Sequence, residues 1–183
     1  RFTVDGKSIT MEEDVQFAHY DPNVASLMQL GKWFDYMREN GVYDNTRIIL
    51  VADHGRGLYL NWDRVIDNGP DTDFFFPLLM VKDFNAKGFS FSDTFMTTAD
   101  VPTLATSGLI DNPTNPFTGN AINANAKYDR PFYAFMSYDW DTSKNNGNQF
   151  FPGTWYRVDN QNARDKRNWV MVGENTVLPD ALR

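Results

Sequence analysis

Between Asp21 and Gly41 the hydrophobic positions Val24, Leu27, Met28, Phe34 and Met37 recur at helical spacing, so one stripe is set to face a core. Asp21-Pro22 in front reads as an N-cap followed by proline at the first helical position. Asn40-Gly41 behind reads as a terminus where glycine takes the left-handed conformation. After the turn Tyr43-Asp44-Asn45-Thr46 the pattern changes. Ile48-Ile49-Leu50-Val51-Ala52 is five consecutive apolar residues, dominated by β-branched side chains. Continuous hydrophobicity predicts a strand buried on both faces, as in parallel sheets covered by helices. It breaks off at Asp53-His54-Gly55, and in open α/β sheets the carboxyl ends of strands are where ligands bind.

Further along, 74–81 reads as another strand whose start Pro77 confines to an edge, a bulge or the first ladder position. The stretch 97–107 reads as a short helix, capped by Thr97 or Thr98, with Pro102 near its first turn and Gly108 closing it. Asn112-Pro113, Asn115-Pro116 and Gly119 mark a turn-rich connection. Three strand-like runs follow, 132–138, 154–158 and 168–172, with polar residues 142–149 between the first two, and their order predicts an antiparallel meander. The expected fold is α/β, a partly parallel sheet flanked by helices with a small antiparallel carboxyl-terminal extension. Residues 1–183 are expected to form a single unit, with an α/β part over 1–125 and a β-rich part over 126–183.

Length supports one unit, since 183 residues amount to roughly 1.2 domains at about 150 residues each. The 42% hydrophobic content is ample for a core and argues against disorder. A net charge of −7, scattered along the chain, leaves no basic face for nucleic acid, so no nucleic-acid partner is expected. Arg164, Lys166 and Arg167 form the one basic cluster, and Asp165 interrupts it, as in a solvated turn. With no cysteine, disulfides, thiolate zinc sites and a thiol nucleophile are excluded within this chain. There is no 18-residue apolar run, no signal-peptide pattern and no initiator methionine. The expectation is a piece of a longer chain.

Asp53 and His54 together offer a carboxylate oxygen and an imidazole nitrogen, half the ligands of a borderline divalent cation. Gly55 is expected to let the backbone turn away and leave both side chains projecting. A turn aspartate beside a surface histidine has the same three letters. His19, the other histidine, is either a loop residue or a contact for a substrate phosphate. Arg56 is a candidate for holding an anionic substrate. Trp140, Trp155, Tyr156 and Trp169 either stack on a sugar or cover a small sheet. Gly-x-Ser-x-Gly, Walker A and Gly-x-Gly-x-x-Gly patterns are absent, which removes serine-hydrolase, P-loop and dinucleotide readings.

Taken as a series, Gly41-Val42-Tyr43-Asp44-Asn45-Thr46, Ile48-Ile49-Leu50-Val51, Asp53-His54-Gly55, Phe76-Pro77-Leu78-Leu79, Asp100-Val101-Pro102-Thr103-Leu104 and Asn115-Pro116-Phe117-Thr118-Gly119 resemble the carboxyl half of the alkaline phosphatase superfamily. The branch they resemble is that of sulfatases and lipoteichoic-acid synthases. The resemblance covers about residues 15 to 122. It implies that Asp53 and His54 are metal ligands, for Mn, Mg, Zn or Ca, held weakly by this piece. It implies metal-assisted transfer from phosphate or sulfate esters, lipid- or glycan-linked, with the nucleophile and remaining ligands in a missing amino-terminal part of the same domain. This piece alone is then expected to be inactive. It also implies an extracytoplasmic, membrane-anchored parent. The segment 56–62 has no histidine near the leaving-group position, which departs from phosphoethanolamine-transferase and sulfatase patterns and leaves the branch open. The competing expectation is a non-catalytic carbohydrate-binding module that uses the carboxyl-terminal aromatics.

Overall fold

The computed structural model describes residues 2–4, 7–9, 14–58, 64–67, 69–137 and 151–182. They form two compact units, the first from 1–50 and 79–90, the second from 51–78 and 91–183. Both helices and strands are present, and the fold is mixed α/β.

The first unit opens with a hairpin of β1 (Phe2–Val4) and β2 (Lys7–Ile9), paired antiparallel from Phe2↔Ile9 to Val4↔Lys7. Helix α1 spans Asp14–Glu39. It begins a full two turns before the expected start, so Asp21 caps nothing and Pro22 lies inside the helix. Pro22 brings no N–H to the ladder, and two side chains just after it reinforce the turn. Asn23 Nδ2 donates to the His19 carbonyl (2.5 Å), and Ser26 Oγ donates to the Pro22 carbonyl (2.8 Å). The expected end is observed: Gly41 adopts φ +68°, with its N–H on the Arg38 carbonyl (3.0 Å). The expected apolar stripe is buried only in part. Met37 is buried and Val24 and Phe34 are half-buried, but Leu27 and Met28 are exposed.

Strand β3 (Ile48–Val51) pairs with β4 (Leu79–Lys82). Asn85 N–H bonds the Asp44 carbonyl (2.8 Å) and Arg47 bridges Asp83 (3.0 Å), so numbers rise on one side as they fall on the other, the antiparallel order. Lys82 ties this corner together. Its ammonium donates to the carbonyls of Tyr43, Asp44 and Thr46 and lies over the Tyr43 ring, whose other neighbours include the Arg38 guanidinium 4.1 Å from its centroid. Burial along β3 departs from expectation. Ile48 is buried, but Val51 is 45% exposed, because only two strands pair here and a second covering layer is not present among the described residues. A continuous apolar run does not by itself specify a parallel partner, and none of the described pairs of known direction is parallel.

The second unit is built on β5 (Phe132–Met136), β6 (Gly153–Val158) and β7 (Trp169–Thr176), an antiparallel meander in the expected order. Ala134, Tyr156, Val158 and Trp169 share its inner face and form the core, with Ile66, Phe75, Phe132 and Ala163 packed against them. Trp169 sits at the centre. Its ring meets Phe75 (5.0 Å between centroids) and the edge of Tyr156 (5.9 Å), and its indole N–H donates to the Ala163 carbonyl (2.8 Å). Where a strand was expected over 74–81, residues Thr72–Phe75 form a 3₁₀ turn and only Leu79–Lys82 is strand. Asp71 explains the difference, since its Oδ1 accepts from Asp73 N–H (2.9 Å) and starts the turn.

Helix α2 (Val101–Thr106) follows a 3₁₀ turn at Thr98–Asp100. Thr97 and Asp100 form a reciprocal capping box, with Thr97 N–H on Asp100 Oδ2 (2.7 Å). The buried Asp100 also meets the Lys127 ammonium (3.0 Å). Burial pushes the Asp100 carboxyl up, but the Thr97 N–H, the Lys127 ammonium and the Thr97 hydroxyl outweigh it and hold the group below its ordinary value. A depressed carboxyl contributes stability above its unfolded value of about 4, lost as pH falls through the lower folded value. Thermal melts from pH 7 to pH 2.5 are therefore expected to show a decline below about pH 4 that Asp100→Asn flattens, with a lower Tm at pH 7 for the variant. Separately, Trp169→Ala is expected to lose about 3–5 kcal/mol in denaturant unfolding.

Candidate functional site

Gly55 and Gly57 explain how the loop after β3 is held. Ala52 N–H bonds the Leu78 carbonyl and Gly55 N–H bonds the Phe74 carbonyl, each at 2.9 Å. A Cβ on Gly55 would lie 2.0 Å from the Asp73 carbonyl oxygen, and one on Gly57 would lie 2.6 Å from the Phe74 ring and 2.9 Å from Asp71 Cβ. The loop therefore runs in van der Waals contact along residues 71–78, in opposite chain direction. The expected function of Gly55 is revised: its φ is not in the left-handed region, and it is needed for close approach, not for a sharp turn.

Between the two bonded residues, Asp53 and His54 stand clear of this ladder, as residues of a bulge do. Their side chains are 88% and 67% exposed and lie side by side, with Asp53 Oδ2 3.8 Å from His54 Nε2. Asp53 Oδ1 accepts from His54 N–H (2.9 Å). His54 Nδ1 lies 2.7 Å from the Gly55 carbonyl. A carbonyl only accepts, so Nδ1 donates in that bond, and in the neutral ring Nε2 is the nitrogen left with its lone pair, beside Asp53 Oδ2. One free carboxylate oxygen and one free imidazole nitrogen thus share a patch of solvent. Two ligand atoms on a common cation at about 2.1 Å are roughly 3.0–3.5 Å apart, so a small side-chain rotation brings this pair into range. Among the described residues no group of three or more His, Asp and Glu side chains converges on one point.

Arg56 follows on the same loop with its guanidinium 5.7 Å from the Phe74 ring centroid, exposed. His19 belongs to α1 of the first unit, half-buried, with its carbonyl taken by Asn23. Sequence reasoning missed the 71–76 turn as the bed of the site. Pro70-Asp71-Thr72-Asp73, a proline followed by an acid two residues before the next acid, was the available signal.

The remaining candidates settle elsewhere. Tyr156 and Trp169 are core residues, 5% and 6% exposed, so neither presents a ring to a sugar. Trp155 lies on the opposite face of the meander, against Phe135 (4.8 Å) with its N–H on the Thr176 carbonyl (3.3 Å). Trp140 lies outside the described residues. Asn162, Arg164, Asp165, Lys166 and Arg167 line an open hollow of about 470 Å³, but its cations are engaged: Arg167 grips Asp165 (2.6 Å), Lys166 meets the Val65 carbonyl and Asp67, and Arg164 lies 3.9 Å from Asp93. The Arg167 guanidinium holds the Asp165 carboxyl down to about 2.

No family model matches the chain, and it matches no curated protein and no solved structure. No described helix is long and apolar enough to cross a membrane.

The packing makes one substitution decisive. Gly55→Ala places a methyl against backbone atoms that have no room to yield, and is expected to destabilise the protein by about 1–3 kcal/mol or more, read as a shift of the denaturant midpoint. An unchanged midpoint means the loop does not run along the turn as described.

Proposed function

We propose that the chain is the carboxyl-terminal part of a metal-dependent, sulfatase-like hydrolase or phosphotransferase acting on phosphate or sulfate esters. The observation that carries this reading is the geometry of Asp53 and His54: adjacent, outward-facing, and oriented by backbone bonds that leave Oδ2 and Nε2 free. Order of motifs along residues 15–122 supports it.

In this reading Asp53 supplies a negative oxygen ligand and His54 a neutral nitrogen ligand, while the Gly55 carbonyl keeps the ring in the binding tautomer. A divalent cation bound there would lower the pKa of a nucleophile and neutralise charge on the oxygens of the transferred group. Arg56, beside the Phe74 ring, supplies a fixed positive charge for the ester anion. Two ligands are half a site, and on the resemblance the remaining ligands and the attacking residue belong to an amino-terminal part of the same domain. The exposed apolar residues Leu27, Met28, Val51, Met80 and Val81 fit a partly parallel, helix-flanked sheet of alkaline-phosphatase type that such a part would complete. An extracytoplasmic, membrane-anchored parent and a lipid- or glycan-linked ester belong to the same proposal, on resemblance.

Calorimetric titration of this chain with Mn²⁺ or Zn²⁺ is expected to show weak binding that Asp53→Ala and His54→Ala each abolish. In a longer chain carrying the nucleophile, either substitution is expected to lower ester turnover by about 10²-fold or more. Turnover and binding unaffected by both substitutions would sink the proposal.

A further inference from the structure

Beneath the 53–57 loop lies a carboxylate for which the metal reading has no use. Asp71 is fully buried, as is Thr72 beside it, whose hydroxyl has no hydrogen-bond partner among the described residues. An acid is retained in such a place against a large desolvation cost, so a local structural task is expected of it. One such task belongs to the carboxylate: its Oδ1 accepts from Asp73 N–H (2.9 Å) and starts the 72–75 turn. The residue's backbone also bridges Val65, and its Cβ is one of the atoms on which Gly57 packs. The turn it starts delivers the Phe74 carbonyl to Gly55 N–H at 2.9 Å and the Phe74 ring to Gly57.

Only Asp53 and His54 separate Ala52 from Gly55, and both flanking residues are bonded to the 71–78 segment. The winding of that segment therefore sets the direction in which the two side chains leave the backbone. We infer that Asp71 is a positioning residue for the Asp53–His54 pair, acting through the 72–75 turn and Phe74. The inference rests on the reading of that pair as a cation grip, and its test has an arm that does not.

Nitrogen-15 shifts of the His54 ring, at a pH where the imidazole is neutral, report which nitrogen carries the proton. Paramagnetic broadening by Mn²⁺ of the same signals reports cation affinity. The parent chain is expected to show the Nδ1–H tautomer. Asp71→Asn keeps an oxygen acceptor for Asp73 N–H and is expected to keep the tautomer, with Mn²⁺ affinity within about three-fold, whereas Asp71→Ala mixes the tautomers and weakens Mn²⁺ about ten-fold. A folded Asp71→Ala with parental tautomer and affinity overturns the inference, and so does an Asp71→Asn that loses as much as the alanine variant. Should Asp71→Ala not fold, Asp71→Leu, of nearly the same shape but with no acceptor for Asp73 N–H, takes its place: a shifted tautomer supports the inference and a parental one overturns it. Asp53→Ala separates the two claims. Broadening that survives it sinks the cation reading and leaves the tautomer result to decide the role of Asp71.

Discussion

The arrangement of the loop after β3 depends on a contact that has no room in it. Two glycines approach a turn so closely that a single added carbon on either would overlap it. That closeness is useful only if the turn itself does not move, and Phe75 supplies the reason it does not. Phe75 lies in the same four-residue turn and packs against Trp169, the centre of the meander's core. Core packing is therefore transmitted to the loop in three steps, from Trp169 to Phe75, from Phe75 to the turn, and from the turn to Gly55 and Gly57. Dense interiors transmit displacement in this way because their atoms have few alternative positions.

The first unit solves a related problem with charge. The chain must pass from the end of α1 to the start of β3 through residues 41–46, where the Tyr43 carbonyl takes the Thr46 N–H (3.2 Å) and the Asp44 carbonyl the Asn85 N–H (2.8 Å), each with a lone pair left over. Lys82 answers three of the carbonyls there with one ammonium group, and its charge over the Tyr43 ring adds an attraction that survives partial exposure. Lys87–Asp44 is an exposed pair, worth little, and Arg47–Asp83 joins a mostly covered guanidinium to an exposed carboxylate. The lysine differs from them because it draws three backbone acceptors of one connection onto a single charged donor.

What the sequence made legible follows from which forces are local. The Gly41 terminus, a threonine cap at Thr97 or Thr98 and the order of β5, β6 and β7 were readable, since such signals act over a few residues, while the return bond from Asp100 was not anticipated. Pro22 misled because a proline after aspartate fits a helix start locally, while the helix continues through it with help from Asn23 and Ser26. The 72–75 turn was hidden under Phe74-Phe75-Phe76, where a run of aromatics has strand propensity but a buried Asp71 cap takes precedence. Asp53 and His54 stood out because polar residues interrupt an apolar run, yet their bed of glycines and aromatics is a matter of residues about twenty apart, which no local pattern carries.

Rigidity and exposure rarely coincide on a protein surface, because exposed side chains give up rotamer entropy only for a compensating bond. Asp53 and His54 are mostly exposed, yet each is fixed by a short bond to neighbouring backbone: Oδ1 by His54 N–H and Nδ1 by the Gly55 carbonyl. These bonds consume one polar atom of each side chain and leave the other, and the two left over are on the same side. A turn aspartate also spends one oxygen in this way, as Asp83 does on Phe84 N–H (2.7 Å), so the carboxylate alone decides nothing. A cation ligand pair needs both halves of the division, because an imidazole must present its lone pair, and a carboxylate that has already lost its freedom pays less on binding. The proposed metal reading therefore rests on the histidine's bond to Gly55 and on the two remaining atoms lying on one side.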